Sequence, residues 1–288
     1  MTADFVMLQV LNGLAFGMLL FVLAAGLSLI FGMLDIVNLA HGSFYMLGAY
    51  LGLSAVRASG SFLWALLLAP LAVGLVGLAV ERLLLRGLGR RRHLDQVLLT
   101  FGLALVLMDL VKWAWGADVL SIPVPEALTG AVQVGGALFP RYRLFVIAFG
   151  LLLGVALWLF LERTPLGAIV RAGVSDREMV AGLGVNVDRV FTAVFAVGAA
   201  LAAAAGVVGG PVLGLYLGMD FEVLILTLIV VIVGGLGSLA GAFWGALLVG
   251  QVDTFGKVLF PDLSLVVTFA LMAVVLLVRP AGLLGRAA

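Results

Sequence analysis

Apolar runs longer than the ~20 residues needed to cross a bilayer recur along the whole chain, and the stretches between them are too short for a soluble domain. They fall near residues 5–31, 36–56, 62–84, 97–115, 143–161, 191–215, 221–250 and 263–279. Leu, Val, Ala and Ile fill them without period-2 alternation, which predicts helices rather than barrel strands. In hydrocarbon every backbone polar group must be paired internally, and a helix achieves this within one segment. The expected fold class is therefore all-α: a polytopic membrane protein of about eight helical segments, some interrupted, forming one transmembrane domain over residues 1–288. Composition agrees, with 64% hydrophobic and 11% charged residues. Soluble domains average ~45–50% and ~25%. The net charge of +1 gives no reason to expect a nucleic acid partner. The absence of cysteine removes disulfides, thiolate nucleophiles and cysteine metal sites. The start, MTADFVMLQV, lacks a basic leader region and reads as an uncleaved first helix.

Basic residues are shared unevenly among the connections. Residues 82–96 hold five arginines, and 162–190 hold Arg163, Arg171, Arg177 and Arg189. Residues 216–222 hold Asp220 and Glu222 with no base, and 116–140 hold Asp118 and Glu126. The positive-inside rule places 82–96 and 162–190 in the cytoplasm, the acidic connections outside and, by counting back, the N-terminus outside. Eight full crossings then leave the C-terminus outside, whereas Arg279 and Arg286 favour the inside. The window 221–250, with GGLGSLAG at 234–241, restores parity if two half-helices meet at that glycine turn and both open outward. An odd crossing within 5–56 restores it too.

Polar residues at membrane depth point to function, because each is costly unless it faces protein, water or another polar group. Asp35, Asn38 and His41 lie on seven consecutive residues between Gly32 and Gly42, which predicts a broken helix there. Interrupted helices with polar side chains are how transporters build a path or gate. Asp35, Asn38, His41 and Gly42, with Gly234, Gly235 and Gly237 of the late glycine run, are the candidate path or gate residues. A faint echo links HGSFYMLGAYL at 41–51 with GSLAGAFWGALL at 237–248, each with Gly-Ser ahead of an aromatic helix start. It fits a structural repeat or ordinary reuse of small residues. The stripes Gly237/Gly241/Gly245 and Gly206/Gly210/Gly214/Gly218 read as packing faces within one subunit, with Pro211 ending or kinking its helix.

Enzyme signatures are absent. Gly235–Ala240 matches GxGxxA without the strand and βαβ setting that motif needs. No GxxxxGK[ST] exists, since Gly256-Lys257 is followed by Val258, so ATP chemistry requires a separate subunit. His41 and His93 have no partner at ligand spacing, and no metal site is expected. Asp109/Lys112 and Asp253/Lys257 fall at helical spacing, as self-neutralising pairs or as path-lining ones. In the connection 162–190, Val174–Leu183 is helix-compatible. Ser175 is placed to cap it with Glu178 three residues on, Asp176 suits the first turn, and Gly184 supplies the stop. Met179, Val180 and Leu183 give a short apolar face. Such a segment is either a solvated loop at the headgroups or a docking helix for a cytoplasmic protein.

Two stretches resemble the permease subunits of branched-chain amino-acid ABC importers, LivH type. The first is Gly26–Gly52, where DIVNLAHGSFYMLGAY resembles that family's Asn-Phe-Ala-His-Gly core, with Asn38, His41 and Gly42 at matching places. The second is Gly167–Val190, matching the family's cytoplasmic loop at Arg171, Met179, Gly184, Asn186, Asp188 and Arg189. GGLGSLAGAFWG at 234–245 and RPAGLLG from Arg279 are similar too. The departures are Asp35, where a neutral residue is common, and the outer loop 116–140. The resemblance implies an inner-membrane importer permease paired with a second homologous permease. Two ATP-binding cassette subunits would dock below, and an extracytoplasmic solute-binding protein would deliver leucine, isoleucine or valine. ATP would be used by those partners, with no cofactor in this chain. By the same resemblance Arg171, Ser175, Asp176, Arg177, Glu178, Met179, Leu183 and Gly184 would couple the ATPases to the spans. The rivals are an ion-coupled secondary transporter using Asp35 or Asp109, and an intramembrane enzyme using Asp35 and His41.

Overall fold

The computed structural model describes residues 2–34, 38–88 and 93–285. Helix α1 spans Ala3–Leu34, α2 His41–Ser59 and α3 Phe62–Val80, which runs on through a π turn at Glu81–Leu85 to Leu88. Helix α4 spans His93–Trp115 and leads to an antiparallel hairpin, β1 Ala131–Val134 with β2 Ala137–Pro140. Then come α5 Arg141–Arg163, α6 Pro165–Ser175, α7 Arg177–Gly182, α8 Val187–Leu213, α9 Met219–Gly234, α10 Leu239–Leu259 and α11 Ser264–Val278. The all-α polytopic expectation holds. Among the described residues, six helices are individually long and apolar enough to cross a membrane, and α9 with α10 forms a further bent pair.

Helices α1 and α8 are central, whereas α4, α5 and α11 turn most of their surface outward. Helix α2 is not among the six, yet most of it is buried, including His41, Ser43, Tyr45 and Tyr50. Protein, not lipid, surrounds these groups, which is how a polar helix is tolerated at membrane depth. Glycine makes that enclosure possible. A Cβ on Gly206 of α8 would lie 2.1 Å from the Tyr45 carbonyl oxygen, and one on Gly48 would lie 2.3 Å from the Ala203 Cα. Backbones packed this closely gain dispersion contacts over their whole length, the main attraction left between helices in lipid.

Contacts along α8 fix the level at which α2 begins. The His41 imidazole lies against α1, its Nε2 2.9 Å from the Leu23 carbonyl oxygen. A Cβ on neighbouring Gly26 would meet both His41 and the Gly198 carbonyl of α8. Gly198 stands ~16 Å from the start of α8 and ~22 Å from its end, at 1.5 Å per residue. The end of α8 lies on the outer connection, where Leu215 and Leu120 exchange backbone bonds of 2.7 and 2.9 Å. Helix α9 also begins at this inner level, since a Cβ on Gly42 would fall 2.1 Å from the Asp220 carbonyl oxygen. The chain thus dips from the end of α8 into the fold before α9 starts. Sequence reading places Asp220 in an outer loop. It is instead buried, because α9 starts part-way down and presses against α2.

The window 221–250 contains the expected break. Helices α9 and α10 are bent by 119° about residues 235–238, with Gly235 and Gly237 at φ +108° and +74°. Gly234 and Gly241 touch backbone to backbone across the bend, and Gly245 rests on the Val230 carbonyl. The Ser238 side chain accepts a 3.0 Å bond from the Gly241 N–H and caps α10. After α11 the tail folds back, its Leu283 and Leu284 N–H groups donating to the carbonyls of Val233 and Gly234 at 2.8 and 2.9 Å. The C-terminal segment therefore lies at the same end as the glycine turn and α6. The positive-inside rule makes that end cytoplasmic and restores the parity. Gly206→Leu is expected to abolish monodisperse folded protein in detergent, whereas Gly102→Leu, whose Cβ meets nothing within 4 Å, leaves size-exclusion behaviour unchanged; equal behaviour of the two would refute the packing role.

Candidate functional site

Two polar features at opposite ends of α9 make up the candidate site. At its start, the Ser43 Oγ of α2 donates to Asp220 Oδ2 at 3.0 Å, both residues fully enclosed. The other carboxylate oxygen, Asp220 Oδ1, has no hydrogen-bond partner among the described residues. Asn38 initiates α2: its Oδ1 accepts from the Ala40 N–H at 3.1 Å and its carbonyl accepts from the His41 N–H at 3.2 Å. Asn38 Nδ2, His41 Nδ1 and the Tyr45 and Tyr50 hydroxyls are likewise buried with no hydrogen-bond partner among the described residues. Native proteins leave few such groups unpaired, and each carries a desolvation cost of ~1–3 kcal/mol. They gather at the start and along the length of α2.

At the far end of α9, a cavity of about 830 Å³ opens between α1, α5, α6 and the glycine turn. Gly32, Val174, Leu236, Gly237 and Ser238 line it, with Trp158 and Trp244 on its apolar walls and Glu162 and Arg171 at its polar part. Arg171 Nη1 stands 3.5 Å from Glu162 Oε2, an exposed pair of small energetic weight. Gly32 is held between the turn and α6, a Cβ there falling 3.1 Å from Gly237 Cα and 3.5 Å from Val174 Cγ2. A buried apolar cluster joins Met33 of α1, Val170 of α6, Val180 of α7 and Val187, Phe191 and Val194 of α8, with Leu239 of α10 packed on it. The cytoplasmic segment and the glycine turn therefore share one core.

The residues singled out from sequence separate into these two places. Asn38, His41 and Gly42 stand at the start of α2, whereas Gly234, Gly235 and Gly237 stand at the turn, at the other end of α9. Asp35 lies outside the described residues, as do the side chains of Arg177 and Glu178. The cytoplasmic helix differs from its expected form. It is split into α6 and α7, and Ser175 ends the first rather than capping the second. Asp176 is the cap, its Oδ1 accepting the Met179 N–H at 2.9 Å, because its extended backbone breaks the helix one residue later. Gly184 adopts φ +82° and supplies the expected stop. Of the short apolar face only Val180 is buried, while Met179 and Leu183 are 64% and 76% exposed.

Among the other pairs, Lys257 Nζ contacts Asp253 Oδ2 at 2.7 Å, whereas Asp109 and Lys112 form no ion pair with each other. The stripe Gly237/Gly241/Gly245 packs inside the subunit, as do Gly206 and Gly210 of the other, whereas Gly218 at the end of that stripe meets nothing within 4 Å. Asp220 is missed as a site residue in sequence reading because two acids close after Gly218, with no base near them, look like an outer loop.

A polytopic helical membrane protein with polar helix starts enclosed at membrane depth and a structured cytoplasmic segment belongs to the class of membrane permeases. Residues 9–276 match the family described as branched-chain amino acid transport system, permease component, and the chain belongs to that family. It is 30% identical to the high-affinity branched-chain amino acid transport system permease protein BraD of Pseudomonas aeruginosa, over 96% of this chain and 95% of the relative. The corresponding LivH permease protein of Escherichia coli is also 30% identical, over the same shares of the two chains. Among solved structures, PsaBC from Streptococcus pneumoniae in complex with Fab has a similar fold, with a TM-score of 0.50 and 11% identity over 93% of this chain and 89% of that one.

Removing the Ser43 hydroxyl by Ser43→Ala takes away the side-chain donor to a buried carboxylate. It is expected to destabilise the purified protein by about 1–3 kcal/mol, read as a lowered Tm, with Ser43→Thr retaining most of the stability; a Tm unchanged by the alanine would show that the bond is not made. Gly237→Ala meets a strained φ and the Gly32 backbone together, and should lower the Tm by more than Ala240→Gly does at the neighbouring helix start.

Proposed function

We propose that this chain is the transmembrane permease of an ATP-driven importer of branched-chain or closely related small amino acids in the inner membrane. The observation that supports this most is the exposed apolar face of α7, next to a cytoplasmic segment built into the core. Met179 and Leu183 project from a capped helix that is only 6 residues long, and an element so short has little stability without something packed against it. Its natural occupant is a nucleotide-hydrolysing subunit, since the chain has no phosphate-binding loop of its own and needs no cofactor for its own part. Two such subunits, a second homologous permease and an extracytoplasmic binding protein complete the assembly. Relatives named as high-affinity branched-chain amino acid permeases favour that cargo class.

Motion would pass along contacts already described. Closure of the ATPases pushes α7 and, through Val180 and Val170, α6. Val174 of α6 leans on Gly32, and Gly32 on Gly237 of the turn. The turn is one end of α9, and the other end is the Ser43–Asp220 junction with α2. Displacing the turn tilts α9, and the junction opens or closes. Asn38, His41 and Gly42 then act as the gate at the start of α2, and Gly234, Gly235 and Gly237 as its hinge. Arg171, Ser175, Asp176, Met179, Leu183 and Gly184 belong to the coupling segment, with Arg177 and Glu178. A glycine hinge suits this role because no side chain blocks rotation of the two helix ends.

Reconstituted with its ATPases, partner permease and binding protein, the chain should take up leucine only with ATP; uptake by the purified chain alone down an ion gradient would overturn the proposal. Met179→Asp with Leu183→Asp is expected to cut ATP-dependent uptake at least ~10-fold, the equivalent of ~1.4 kcal/mol of lost docking. Expression and folding should be unaffected, as both side chains are exposed. Full uptake by that variant would remove the docking role from α7.

A further inference from the structure

The first turn of α9 carries a second acid, Glu222, in a setting unlike that of Asp220. It follows Asp220 by two residues, so it lies at nearly the same inner level, beside the start of α2. Yet Glu222 is exposed. No described cation pairs with it, and its hydrogen-bond partner is the Tyr216 hydroxyl, which donates to Oε2. An unpaired carboxylate at this depth is tolerated only where it faces water or a polar neighbour, not lipid tails. Behind it, the Tyr45 hydroxyl is fully buried without a partner and close enough to Tyr216 to interact with it electrostatically. One turn before Glu222 on the same face, Gly218 opens onto free space, with nothing within 4 Å of where its Cβ would be. One turn after it, Ile225 is 42% exposed. Spacings of four and three residues put Gly218, Glu222 and Ile225 on one face.

We infer that this face lines the water-filled path and that Glu222 is a cargo-contacting residue, receiving the ammonium group of an amino acid in transit. Ile225 beside it offers an apolar surface to a branched aliphatic side chain. The Tyr216 hydroxyl holds the carboxylate oriented while no solute is bound. A cationic group meeting an oriented carboxylate forms a charge-assisted hydrogen bond, roughly twice as strong as a neutral one. That favours an ammonium-bearing solute without trapping it, because Glu222 remains open to water. The inference rests on the importer reading above and adds to it the contact that recognises the cargo.

The chain has no native cysteine, so Glu222→Cys gives a single thiol in this subunit of the assembled complex. In proteoliposomes, 2-aminoethyl methanethiosulfonate should modify it at least ~10-fold faster than a Leu152→Cys thiol, because the reagent and the reactive thiolate both need water. Leu152 is the control because it is 71% exposed on the apolar surface of α5. Glu222→Gln should lower leucine uptake at limiting concentration ~10-fold, as loss of a charged hydrogen bond implies. Glu222→Asp should recover part of it, and ATPase activity and co-purification with the partner subunits should be unchanged. Three results would overturn the inference: modification no faster than at Leu152→Cys, full uptake by Glu222→Gln, or failure of Glu222→Gln to assemble. The last would make Glu222 a contact between permease subunits. If wild-type complex takes up no leucine, the cargo reading fails, while the labelling comparison still reports whether water reaches Glu222.

Discussion

The close approach of Gly42 to the Asp220 carbonyl sets the level at which two helices begin, and most of the architecture follows from it. Any side chain at residue 42 would collide with the α9 backbone. With glycine there, the starts of α2 and α9 meet inside the fold, and Ser43 reaches the Asp220 carboxylate. A hydrogen bond to a carboxylate in such surroundings is strong while it lasts, and leaves a costly unpaired group when broken. That asymmetry favours two discrete arrangements over a continuous slide. On the proposed reading, in which the junction opens, the polar atoms of α2 that are buried with their bonding incomplete gain partners when it does.

Helix α9 is held at both ends by glycine contacts with helices that begin in Gly-Ser. Gly42 and Ser43 of α2 grip its start, and Gly241 and Gly245 of α10, the helix that Ser238 caps, grip its end. The C-terminal segment adds a third grip, since Leu283 and Leu284 satisfy the carbonyls of Val233 and Gly234 that a helix end leaves open. A rigid rod fixed this way transmits displacement from one end to the other. Among the described residues the cytoplasmic segment reaches the turn through Val174 and Gly32 and through the cluster that includes Leu239. The faint sequence echo between residues 41–51 and 237–248 corresponds to these two grips.

Legibility in the sequence followed the physics of each signal. Long apolar runs fix spanning helices regardless of tertiary context, so every window corresponds to a helix or, at 221–250, to the expected broken pair. The glycine turn was visible because positive φ and backbone contact both demand glycine at Gly235 and Gly237. Less visible was the division of α6 from α7, since Ser175 and Asp176 are both good caps and only the local backbone decides between them. The depth of Asp220 and Glu222 could not be read at all. It depends on α8 being long and on the chain dipping back after Leu215, a property of packing between segments far apart in sequence. Asn38, His41 and Gly42 were identified as a group, but their partners lie on α1 and α9.

The central claim is that the α2–α9 junction separates during each transport cycle. Ser43 and Asp220 are in hydrogen-bond contact and the chain has no other thiol, so Ser43→Cys with Asp220→Cys offers a direct lock. With the complex oxidised and the cross-link complete, leucine uptake should stop and return on reduction, while nucleotide hydrolysis continues. Undiminished uptake through a fully cross-linked junction would contradict the claim.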